Sequence, residues 1–156
     1  MSAASEKEEI VRRCIAMVAN TAPGSVGDIL QFRLLDYDPD RDEYRFTCQT
    51  AQWMRNFSGT LHGGMCAAVL DQAMGVVAYS LKTEDGTCPT VQMEVEYHRP
   101  LIPGEGILVK VRVISMTKSL INLTAEAFRA SRQDKICLSG SGIFFRKPAD
   151  PEKARD

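Results

Sequence analysis

The chain lacks several features that would mark a functional class. It has no excess of positive charge: 19 Lys and Arg stand against 20 Asp and Glu, for a formal net charge of -1, and the basic residues are scattered. Nucleic-acid binding draws on a concentrated positive footprint, so no such partner is expected. Its five cysteines, Cys14, Cys48, Cys66, Cys88 and Cys137, are odd in number and form no C-x-x-C pair. They read as free thiols of a reducing compartment, and no metal site is indicated. The opening stretch MSAASEKEEIVRR has Glu6, Lys7, Glu8 and Glu9 where a secretory signal needs an apolar core, so a cytoplasmic location is expected. No apolar run suits a membrane: the longest, residues 63–81, carries Asp71 and Gln72 at its centre. Internal repeats and low-complexity segments are also missing.

What remains is an ordinary globular composition, 44% apolar and 25% charged over 156 residues, enough for one domain with a sizeable core. Residues 1–24 read as an N-terminal helical segment, because Ile10, Cys14, Met17 and Val18 recur at helical spacing behind a Ser5 to Glu8 capping-box pattern. Pro23-Gly24 stops that run. Residues 25–147 read as the main domain, and 148–156 as a frayed, charged, Pro-containing tail.

Within the domain, residues 29–36 and 43–50 alternate in polarity around the turn formers 37–42, which predicts a hairpin. A polar loop, residues 56–60, leads through His62-Gly63-Gly64 into an Ala-, Val-, Leu- and Met-rich helix ending near Lys82. Residues 90–98 alternate strictly, with Val91, Met93, Val95 and Tyr97 on one face. Three further β-rich runs, about 105–117, 119–131 and 135–146, are separated by Thr117-Lys118-Ser119 and Arg132-Gln133-Asp134. A helix that is apolar nearly all round must be enclosed, and a twisted antiparallel sheet can curl around it. The predicted class is therefore α+β, with five to six antiparallel strands wrapped around a long central helix and an N-terminal helix beside them: the hotdog architecture.

Asp71 is the only carboxylate between Glu43 and Glu84, and its neighbours in the helix are apolar. Burying an ionised group there is costly without compensation. It reads either as a satisfied structural Asp at a subunit contact or as a general base or nucleophile. Gly63 and Gly64 fall in the first turn of the helix, where N–H groups lack intrahelical acceptors and the dipole favours negative charge. Such amides suit an oxyanion, although two glycines also simply permit a tight turn that His62 caps. Asp71 follows His62 by nine positions, which in a helix is about 13 Å, too far for one chain to bring them together. An isologous dimer with antiparallel central helices would pair the start of one helix with the middle of the other.

Asn56, the run LHGGMCAAVLDQAMG (61–75) and the run PTVQMEVEYHRP (89–100) together resemble the PaaI-like hotdog acyl-CoA thioesterases over residues 25–146. The resemblance implies that Asn56, His62 and the Gly63 amide surround a thioester carbonyl. It implies that Asp71 of the partner chain activates water or attacks the acyl carbon, and that Thr90, where Ser is also found, helps hold that water. It further implies a homodimer with shared sites, a homotetramer, and no cofactor beyond the coenzyme A of the substrate. Gly64 is a candidate substrate contact. Lys118, Arg146 and Lys147 are candidates for the phosphates of coenzyme A, set against the plainer reading as solvated charges. Met65, Met74, Met93 and Tyr79 are candidates for an acyl pocket, set against ordinary core. Two other functions fit less well. A hotdog dehydratase or hydratase would carry a His-Phe-Pro-Gly loop and a helix Glu, and a non-catalytic acyl-CoA binder often lacks the acidic residue or adds a regulatory domain.

Overall fold

The computed structural model describes residues 3–148. Chain order is α1 (Ala3–Ala19), α2 (Val26–Leu30), β1 (Arg33–Asp38), β2 (Glu43–Cys48), a 3-10 turn (Gln52–Met54), α3 (Gly63–Ser80), β3 (Thr90–Tyr97), β4 (Ile107–Met116), β5 (Leu120–Arg129) and β6 (Arg132–Phe145). The six strands form one antiparallel sheet in the order β1-β2-β4-β5-β6-β3. After β2 the chain passes into α3 and returns as β3 at the opposite edge of the sheet. Helix α3 must therefore lie across the sheet, and the hotdog architecture follows.

The core sits between them. Val69, Leu70, Ala73, Met74 and Val77 of α3 share one buried cluster with Tyr44 and Phe46 of β2, Val109 and Val111 of β4, Leu123 and Ala125 of β5, and Leu138 of β6. Each such apolar side chain contributes on the order of 1.5–3 kcal/mol when fully buried, so the alternation of the strands and the apolar character of α3 choose the same face. Close approach is needed where β6 passes under the helix. A Cβ on Gly140 would lie 2.6 Å from Glu94 O and 3.1 Å from Leu70 Cδ1, so only glycine fits there. The N-terminal helix joins this core through Val11 and Cys14 and is not a unit apart. No helix among the described residues is long and apolar enough to cross a membrane.

Three local expectations are corrected. Residues 29–32 do not start the first strand. Ser25 caps a short helix by accepting from Asp28 N–H at 3.3 Å, and Gln31, at φ 45°, ends it in a left-handed turn. The last hairpin turns at Ala130-Ser131, so Arg132-Gln133-Asp134 belong to β6 and Arg129 pairs with Arg132. Helix α1 already includes Ala3, which puts Ser5 inside the helix rather than at the cap. The frayed tail expected at 148–156 lies, apart from Pro148, outside the described residues.

Candidate active site

His62 is the N-cap of α3, with extended backbone at φ -60° and ψ 137°, and its Nδ1 accepts from the Gly64 N–H at 3.0 Å. Ser, Thr, Asp or Asn usually takes this place; here an imidazole does. The bond has a chemical consequence. With Nδ1 as acceptor, a neutral ring carries its proton on Nε2, so His62 presents an N–H donor. It also removes Gly64 from the expected set of free amides, since its N–H is already used by His62. The Gly63 N–H keeps no acceptor among the described residues, and the helix dipole adds to its pull on negative charge.

Asn56 stands beside this helix start. Its Oδ1 accepts from the N–H groups of Ser58 (2.9 Å) and Thr60 (3.1 Å), and its Nδ2 donates to Thr60 Oγ1 at 2.9 Å. The carboxamide thus closes its own loop and retains one N–H. A cavity of about 340 Å³ opens here, lined by Asn56, Gly63, Cys66, Tyr97, Arg99 and Leu138 among others. Burial pushes the Cys66 thiol up to about 11, so it is a neutral wall and not a nucleophile at neutral pH. A cavity of similar size, about 360 Å³, lies on the other face of the sheet among Glu94, Lys110, Arg112, Glu126 and Ser139, and contains none of the expected site residues.

Asp71 lies on the half-buried side of α3, less enclosed than its apolar neighbours suggest. Thr90 Oγ1 donates to Asp71 Oδ1 at 2.8 Å, leaving Oδ2 without a protein partner among the described residues. That is the arrangement of a carboxylate oriented by one oxygen and available through the other. Asp71 and Gly63 are not brought together, because they lie eight positions apart along the helix, about 12 Å. The side of α3 that holds Gly64, Ala67, Ala68, Asp71, Gln72 and Gly75 is incompletely covered, and the adjacent strand β3 has every residue exposed or half-buried. Gly63 and Asp71 thus both lie beside a sheet edge that is uncovered among the described residues.

The model of the thioesterase superfamily matches residues 58–136, half of the chain. The chain belongs to the thioesterase superfamily. No curated protein matches it. Solved structures of low identity share its fold. The PaaI protein of the phenylacetic acid degradation operon of E. coli is 17% identical with a TM-score of 0.74, covering 91% of this chain and 96% of that one. Thioesterase superfamily member 2 of Mus musculus is 18% identical with a TM-score of 0.67, covering 93% and 98%. The smu.793 protein of Streptococcus mutans, bound to acetyl CoA, is 15% identical with a TM-score of 0.63, covering 76% and 91%.

In this thioesterase-superfamily chain, His62, Gly63, Gly64, Asp71, Thr90 and Lys118 fall inside the matched span, while Asn56, Arg146 and Lys147 fall outside it. The three basic candidates gather at the far end of α3 from Gly63. Lys118 is exposed in the β4–β5 turn and Lys147 is exposed beyond β6. Arg146 is engaged: its Nε donates to Leu81 O at 3.0 Å and its Nη1 to Thr117 O at 3.2 Å. It thereby closes the C-terminal end of α3, where a cation is favoured. Of the acyl-pocket candidates, Met74 is fully buried core, while Met65, Met93 and Tyr79 are partly buried against it.

One residue escaped the sequence reading as a site residue. Tyr97 Oη donates to Gly63 O at 2.9 Å, so β3 touches α3 at two places, through Tyr97 at the helix start and Thr90 at its middle. The alternation of residues 90–98 placed Tyr97 on the helix side. Nothing in that pattern showed that this side stays open.

Proposed function

We propose that the protein is an acyl-CoA thioesterase that hydrolyses an acyl- or aryl-CoA to the free acid and coenzyme A. The observation that carries this reading is the Thr90–Asp71 hydrogen bond, which orients a carboxylate on the uncovered side of the central helix of a thioesterase-superfamily chain. A solved structure of similar fold bound to acetyl CoA supports the same ligand class. Coenzyme A enters as part of the substrate, and the reading assigns the chemistry to protein groups and water.

In this mechanism the Gly63 N–H, with the Nε2–H of His62 and the remaining N–H of Asn56, holds the thioester carbonyl oxygen as charge develops on it. Asp71 of the partner chain takes a proton from a water that Thr90 helps hold, and the water oxygen bonds to the acyl carbon. Collapse of the tetrahedral species breaks the C–S bond, and the proton passes to the sulfur. Direct attack by Asp71 on the acyl carbon, followed by hydrolysis of the anhydride, uses the same groups. Either route requires a homodimer in which antiparallel central helices set Gly63 of one chain against Asp71 of the other. The exposed β3 edge is the surface available for that pairing. Such a dimer also brings Lys118 and Lys147 of one chain toward the helix start of the other, where they would meet the phosphates of coenzyme A, and two dimers form a homotetramer.

Thiol release from a panel of acyl-CoAs tests this. Asp71→Ala and Asp71→Asn are expected to lower kcat by about 10²–10⁴, as for loss of a general base, with assembly unchanged by light scattering. Mixing His62→Ala and Asp71→Asn subunits should restore about half of wild-type activity per hybrid dimer, because one of its two shared sites is then intact. No turnover of any thioester with binding retained would overturn the hydrolase reading in favour of an acyl-CoA binder.

A further inference from the structure

We propose that Tyr97 is a positioning residue for this site, fixing the peptide that aligns two of its three carbonyl-oxygen donors, Gly63 N–H and His62 Nε2–H; the inference rests on the reading of the site as a thioesterase centre. The Gly63–Gly64 peptide is held from both sides. Its C=O accepts from Tyr97 Oη at 2.9 Å and its N–H donates to His62 Nδ1 at 3.0 Å. The two bonds run in one direction, from phenol through peptide to imidazole. Each polarises the next, so donation by Tyr97 strengthens the bond from the Gly64 N–H to Nδ1 of His62. The chain of donors ends on Nε2–H, the group assigned to the thioester oxygen. Rotation of this one peptide would disturb the capping bond to His62 and the orientation of the neighbouring Gly63 N–H together.

Tyr97 acts from an unusual place. It is 56% exposed on the open edge strand, yet its hydroxyl reaches into the helix start. Its ring atoms stand 3.6–3.8 Å from the point a Cβ on Gly63 would occupy, and the ring walls the cavity beside Asn56 and Cys66.

Tyr97→Phe keeps the ring and removes the bond. Two readouts are compared with wild type: kcat and KM for a hydrolysed acyl-CoA, and the exchange rate of the Gly64 amide followed by ¹H–¹⁵N NMR. Loss of one such bond corresponds to a fall in kcat of about tenfold with KM within about twofold, and Gly64 exchange should quicken by a similar factor. Wild-type behaviour in either readout overturns the proposal. Should the wild-type protein hydrolyse no thioester, the proposed function fails, and the exchange rate by itself decides whether Tyr97 fixes the peptide.

Discussion

The two edges of the sheet are treated differently. At the β1 edge the chain's own first helix supplies the missing partners: Arg12 Nη1 donates to Leu34 O at 2.8 Å, and Glu8 Oε1 accepts from the Tyr37 N–H at 3.2 Å. Lys7 adds bonds to Tyr37 Oη (2.7 Å) and Asp42 Oδ1 (3.0 Å). At the β3 edge no element among the described residues covers the strand, and Val91 is 61% exposed. An uncovered edge is a template for pairing with another chain. Here the open edge is also the one whose strand touches the helix at Gly63 and at Asp71, whereas the sealed edge carries none of the site residues. The difference teaches that the chain covers the edge that carries none of the candidate site residues and leaves uncovered the edge beside them, as the proposed shared site would need.

Charging the open edge should give the largest effect. Val91→Glu, at the register shift between Thr90 and Gln92, is expected to leave the folded subunit intact but convert the proposed dimer to monomers in sedimentation, with thioester hydrolysis falling by about 100-fold or more because the proposed shared site cannot form. A fully active Val91→Glu monomer would break the comparison. The sealed edge should answer in stability alone. Arg12→Ala leaves the Leu34 carbonyl to water and should cost about 1 kcal/mol in urea unfolding, with assembly and kcat unchanged.

The core the two edges share should answer to pH. Burial pushes the Cys48 thiol up to about 12 and the Cys66 thiol up to about 11, against about 8.5 in the unfolded chain. A thiol that stays protonated when folded contributes stability that is present below pH of about 8.5 and lost as pH rises toward 11, since the unfolded state releases its proton first. Urea midpoints measured at pH 7 and pH 9.5 should fall, and Cys66→Ala should reduce the drop.

Much of this was legible from residue order. Helix α3 was read from a long run of apolar helix formers and strand β3 from strict alternation, and their observed spans, Gly63–Ser80 and Thr90–Tyr97, differ from the reading only at their ends. Residues 29–32, Ile-Leu-Gln-Phe, were taken into the first strand because so short a stretch of mixed polarity does not distinguish a strand from a helical turn; Ser25 and Asp28 decide it locally. The last turn was placed at Arg132-Gln133-Asp134 because polar residues suggest a loop, yet they can equally line an exposed strand end. Gly64 could be seen as a first-turn amide, but not that His62 would consume its N–H. Arg146 could be seen as a charge, but not that two carbonyls, 65 and 29 positions away in the chain, would hold it.

The sequence by itself determined the antiparallel sheet around an apolar helix, the lone carboxylate on that helix, and the separation of His62 from Asp71, because each depends on periodicity or on a fixed rise per residue. Only the tertiary structure decided which edge would be sealed and which left open, that Thr90 would orient Asp71, and that Tyr97 would reach Gly63. Those outcomes depend on contacts between residues 19 and 34 positions apart, and the direction in which a distant side chain arrives is set by how the sheet twists about the helix, not by its place in the chain.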